Sequence, residues 1–121
     1  MSKVKILHAG MHFTFPDGRP SFAYKGSEEQ LQYILDNKDL YSLVAEFEHP
    51  AKNTDALLDK AYLVTNSVDR PWVKNNGLTV YGYRHRSTSV GDIIIVNNVY
   101  FVVSPFGFDK MSLHSVSADS T

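Results

Sequence analysis

The chain has 121 residues, 12 Lys and Arg against 13 Asp and Glu, 43% hydrophobic residues and no cysteine. That length suits one domain hiding about two-thirds of its unfolded surface, and the missing thiols exclude disulfides, thiolate metal sites and a cysteine nucleophile. A formal charge of −1 argues against strong general attraction to nucleic acid or anionic lipid. No apolar run reaches the ~18 residues of a membrane span and Met1 to Lys5 lacks an apolar leader, so a cytoplasmic single domain over residues 1–121 with no membrane partner is expected.

The elements follow in chain order. Val4 to Phe15 is rich in β-formers, with Met11, Phe13 and Phe15 on one side of a predicted strand, and Pro16-Asp17-Gly18-Arg19-Pro20 stops it. Phe22 to Lys25 is a short extended piece able to pair back on that strand. Ser27 and Gln30 form a capping box for a helix whose buried stripe is Leu31, Ile34 and Leu35 and whose stop is Asn37. Leu40 to His49 alternates Tyr41, Leu43, Ala45 and Phe47 against Ser42, Val44, Glu46 and Glu48, the pattern of a strand with one wet face. Asn53 caps a second helix over about residues 54–65, with Leu57, Leu58, Ala61, Tyr62 and Thr65 on one side. Asn66 to Gly77 is a loop holding the only tryptophan, Trp72. Leu78 to Tyr83 is predicted as a strand, and an Asn97-Asn98 turn joins the strands Asp92–Val96 and Val99–Val103, apolar on both faces and so covered on both sides. Phe106-Gly107-Phe108 starts a last short strand, and residues 112–121, with four serines, form a frayed tail. The expected class is α+β: two helices packed on a small, mostly antiparallel sheet with the C-terminal hairpin central.

Candidate chemistry is sparse. His8 and His12 share a strand face and could bind a metal with a distant carboxylate, though exposed strand histidines explain them as well. Glu46 and Glu48 read as a solvated face before they read as paired catalytic carboxylates. His85, Ser87, Ser89 and Asp92 nominally contain a triad, but no nucleophile elbow and no phosphate-binding loop occur. No catalytic residue, metal site or cofactor is therefore assigned, and an enzyme is not expected.

The segment Asp69 to Arg86 stands out. Residues 1–60 carry 7 basic and 9 acidic groups and residues 61–121 carry 5 and 4, with Arg70, Lys74, Arg84 and Arg86 gathered near Trp72, Tyr81, Tyr83 and His85. Tryptophan, tyrosine and arginine are enriched in interface hot spots, so Arg70, Trp72, Lys74, Tyr83, Arg84, His85 and Arg86 form the candidate partner-binding surface. The same groups could hold a single-stranded nucleic acid by charge and stacking, or Trp72 and Tyr83 could simply be core anchors.

Arg86-Ser87-Thr88-Ser89-Val90-Gly91-Asp92-Ile93-Ile94, followed by Tyr100-Phe101-Val102-Val103 and Gly107-Phe108, resembles the YodL-like family of small proteins carried by phages, plasmids and other bacterial mobile elements. The resemblance covers residues 57 to 111 and, in element order only, 22 to 49; residues 1 to 21 are an N-terminal extension. It implies an accessory protein acting on a host or phage protein inside the bacterial cell, and brings no catalytic residues with it. Physically, Gly91 supplies a turn, Asp92, Ser87 and Ser89 can satisfy backbone N–H groups, and Val90 anchors the turn, while Arg86 is not assigned to folding alone. A homodimer by strand pairing or face packing is also open.

Overall fold

In a computed structural model, the structure describes residues 1–67, 71–82 and 85–111. Its elements are β1 (Ser2–Ala9), α1 (Glu28–Asp36), β2 (Tyr41–His49), α2 (Thr54–Val64), β3 (Thr79–Val80), β4 (Ile93–Val96), β5 (Val99–Ser104) and β6 (Gly107–Lys110). The strands form one sheet in the order β3-β2-β1-β4-β5-β6, and every neighbouring pair is antiparallel. The protein is α+β, with the β4–β5 hairpin inside the sheet. No helix among the described residues is long and apolar enough to cross a membrane.

Successive strand residues point to opposite faces, and both faces are covered. On one face Val4, Ile6, Ile94, Val96, Phe101 and Val103 pack with Leu57, Leu58 and Ala61 of α2 and with Trp72. On the other Ile93, Ile95 and Val102 pack with Ile34 and Leu35 of α1 and with Phe13, Phe15, Tyr24 and Tyr41. Continuous apolar runs in β4 and β5 follow from this double burial. Asn97 and Asn98 turn the hairpin at φ 48° and 71°, values a two-residue turn of this hand requires.

The helices start where their caps place them. The Gln30 backbone N–H donates to Ser27 Oγ and that of Ala56 to Asn53 Oδ1. The Gln30 side chain reaches past its own cap and accepts from the Lys25 N–H, so the reciprocal half of the capping box is displaced by two residues.

Four predicted elements are corrected. The first strand ends at Ala9, not Phe15: Phe13 and Phe15 are buried through a loop that folds back over α1, whereas Met11 is 75% exposed. Edge-to-face contacts of Phe13 with Phe15, Tyr33 and Tyr41 hold that loop. Residues Ser21–Ala23 form a 3₁₀ turn rather than an extended pairing segment. In β2 the register shifts between Ile6↔Ala45 and Leu7↔Leu43, leaving Val44 as a bulge. The bulge reverses the alternation, so Tyr41 packs with the α1 side while Val44, Ala45 and Phe47 pack with the α2 side. Leu78 to Tyr83 contributes only the two residues of β3 to the sheet, with Tyr83 outside the described residues.

Candidate functional site

The motif of residues 86 to 92 is a latch between distant parts of the chain. Asp92 is completely buried, a position that costs several kcal/mol for a carboxylate unless its oxygens are paired. Arg86 pairs them with a fork, Nη1 donating to Oδ2 at 2.6 Å and Nη2 to Oδ1 at 2.7 Å. Backbone N–H groups of Ala9 and Ser89 donate to the same carboxylate at 3.0 and 2.9 Å. The guanidinium also donates to the carbonyls of Ser87 and Ala9, and the bond to Asp92 raises its already high pKa further. Arg86, which sequence alone leaves unexplained, thus ties the motif to the end of β1.

Neighbouring residues extend the latch. Gly91 has φ 90°, and a Cβ there would lie 2.1 Å from the Ser21 carbonyl oxygen, so only glycine allows the N-terminal loop to approach. The buried Tyr41 hydroxyl donates to the Gly91 carbonyl at 2.5 Å; burial, then the Asp92 charge, push its pKa up. The Ser67 N–H donates to Ser87 Oγ. Val90 packs on the α1 side, and Gly107 opens β6 so that Phe108 meets Tyr62 edge to face. Gly91 thus makes the turn, and Asp92 and Ser87 each accept backbone N–H groups.

Of the candidate partner surface, Arg70, Tyr83 and Arg84 lie outside the described residues. Trp72 is 1% exposed and its indole N–H donates to the carbonyls of His85 and Arg86. It is a core anchor, and it can neither stack a base nor meet a partner. Lys74 is exposed, while His85 is half-buried, edge to face with Trp72, its Nε2 at 3.1 Å from the Tyr81 carbonyl. Among the described residues, Trp72 contributes nothing to that surface, because it is spent on packing.

The histidine pair also separates. His12 is exposed in a turn while His8 is 4% exposed, and no group of three His, Cys, Asp or Glu among the described residues could hold a metal. Glu46 and Glu48 stand opposite Lys5 and Lys3 in the register of β1 and β2, so opposite charges alternate on that face.

His8 has a role of its own. Thr65 Oγ1 donates to the Ala61 carbonyl and Thr88 Oγ1 donates to Thr65 Oγ1, both at 2.7 Å. Each hydroxyl has one proton, so Thr88 must accept the 2.8 Å bond from His8 Nε2–H. The ring is therefore the neutral Nε2 tautomer, and burial depresses its pKa to about 4; the Asp92 charge works against this, and Arg86 and His85 work with it. Nδ1 is left as a bare lone pair, the one buried side-chain polar atom among the described residues without a hydrogen-bond partner. Sequence reasoning missed this relay because its members lie at positions 8, 65 and 88; the threonine inside the motif was the available signal.

His8 and Arg86 line a groove of 640 Å³ that the N-terminal loop completes with Met11, Phe13 and Phe22. That volume falls within the range of ligand sites. Met11 and Phe22 are 75% and 68% exposed, so large apolar groups stand in water on the groove's edge. No protein-family model, curated protein or solved structure matches the chain.

Proposed function

We propose that this chain is a small, non-enzymatic accessory protein of the phage and mobile-element kind that its C-terminal motif resembles, working in the bacterial cytoplasm by binding a host or phage protein. The observation that carries this reading is the groove flanked by exposed Met11 and Phe22. Exposed apolar groups at the mouth of a concavity are the ordinary signature of a recognition surface. The proposed contact surface accordingly moves from Trp72 to the N-terminal loop, with Arg86 lining the groove beside it. Residues 1 to 21, the extension that departs from the family pattern, supply most of that loop.

The test is capture from bacterial lysate by wild type, by the Met11→Ser/Phe22→Ser double variant and by Lys74→Ala, with partners compared by mass spectrometry. A partner retained by wild type and Lys74→Ala but lost by the double variant is the expected result. A partner list unchanged in the double variant overturns the assignment.

A further inference from the structure

The loop between Trp72 and β3 carries a reactive pair, remote from the motif and the groove. Of the seven asparagines in the chain, Asn76 alone is followed by glycine. In any Asn–Xaa pair the backbone nitrogen of Xaa can attack the asparagine carboxamide carbon and close a five-membered ring. A side chain on Xaa crowds that attack, and glycine has none.

The fold decides whether the attack can occur. Asn76 and Gly77 are both exposed. Among the described residues, neither the Gly77 N–H nor the Asn76 carboxamide has a hydrogen-bond partner. Gly77 has φ 85° and nothing within 4 Å of the place a Cβ would occupy, so the backbone has room to turn toward the ring-closing geometry. The loop is fixed only on either side, where Asn75 Nδ2 donates to the Val64 carbonyl at 2.8 Å and where Thr79 and Val80 pair with Glu46 and Ala45.

Asp17–Gly18 has the same skeleton and the opposite setting. The Arg19 backbone N–H and Nε both donate to the Asp17 carboxylate, which lowers its pKa and keeps it ionised, a poor electrophile. The Gly18 N–H, the would-be nucleophile, donates to the Phe15 carbonyl at 2.8 Å. Elsewhere Asn37, Asn66 and Asn75 each donate a carboxamide N–H to a backbone carbonyl, besides lacking a following glycine.

We propose that Asn76 is a site of spontaneous deamidation through a succinimide. The Gly77 nitrogen bonds to Asn76 Cγ, the Cγ–Nδ2 bond breaks, and the amide proton leaves with Nδ2 as ammonia. Water then opens the ring at either carbonyl, and the new acid gives its proton to the ammonia; nothing is oxidised or reduced. Opening at Cγ leaves aspartate. Opening at the main-chain carbonyl leaves isoaspartate, which carries the backbone through Cβ and lengthens the loop by one methylene. Either product puts a carboxylate beside the exposed Lys74 and makes a chain of formal charge −1 more acidic.

The test incubates the full chain in mildly alkaline buffer, with and without urea, and follows each asparagine by peptide mass spectrometry, with an isoaspartyl methyltransferase marking the isomerised product. The Asn76 peptide should gain one mass unit ahead of every other asparagine, with isoaspartate as the larger product. Its native rate should lie within about tenfold of the rate in urea, a barrier difference under about 1.4 kcal/mol. Asp17 should form isoaspartate in urea and more than about tenfold more slowly in the native chain. Asn76→Gln, whose longer side chain would have to close a six-membered ring, should remove the mass gain without moving the urea midpoint, since the position is exposed. A native rate at Asn76 more than about tenfold below that in urea, earlier modification at another asparagine, or a mass gain that survives in Asn76→Gln overturns the proposal. Asp17 isomerising as fast in the native chain as in urea also overturns it, because the contrast between the two loops would then have no basis in their hydrogen bonds.

Discussion

The two sides of the Arg86–Asp92 pair behave differently. Toward β4 and the motif, every buried polar atom is answered: the Asp92 carboxylate takes two guanidinium and two backbone bonds, and the threonine hydroxyls pass their protons to Ala61. Around the groove, by contrast, the buried His8 Nδ1 is without a hydrogen-bond partner, and Met11 and Phe22 stand in solvent. The recognisable motif is thus spent on architecture, and the proposed recognition surface lies at the N-terminal loop.

The largest expected effect breaks the comparison at Trp72. Trp72→Ala should destabilise the fold by about 3–5 kcal/mol, as truncating a buried tryptophan does, measured by urea unfolding. A loss within about 0.5 kcal/mol would return Trp72 to the surface.

Next is the acid dependence of His8. Its folded pKa of about 4 lies below the unfolded value of 6.5, so between those values the unfolded chain binds the proton and the native chain does not. Stability should therefore be full above pH 6.5 and fall as pH drops toward 4, by about 3 kcal/mol in the limit. Comparing wild type with His8→Gln from pH 7 to 5 isolates this slope, since carboxylates titrate mostly lower. Equal slopes would mean that His8 is solvated.

The smallest effect sharpens the other half of the contrast. Met11→Ser/Phe22→Ser should change stability by no more than about 0.5 kcal/mol, because exposed side chains contribute little to folding, while removing partner binding. A cost several times larger would place these groups in the fold rather than at an interface.

What sequence revealed and what it hid divide along range of interaction. The caps at Ser27 and Asn53 and the Asn97-Asn98 turn are local devices, and each forms where its residues stand. Face coverage of β4 and β5 was legible because double burial leaves no polar alternate positions. The Val44 bulge was not, since an uninterrupted alternation looks the same with or without an extra residue, and pairing with β1 decides it. Phe13 and Phe15 kept strand-like spacing but pack from a loop because α1 and Tyr41 offer them an aromatic bed. At the site, Gly91 and Asp92 were legible as turn chemistry. Arg86 and His8 were not, because their partners come from chain segments that only the fold brings together.

The urea unfolding midpoint of Arg86→Ala tests the central claim, that the motif's arginine secures the fold. Removing the guanidinium would leave the Asp92 charge buried with two backbone donors, a change that costs about 3–5 kcal/mol when a buried pair is broken. A drop of that size, at unchanged slope, is the expected result. A midpoint within about 0.5 kcal/mol of wild type would show Arg86 to be a surface group free for a partner and would contradict the account.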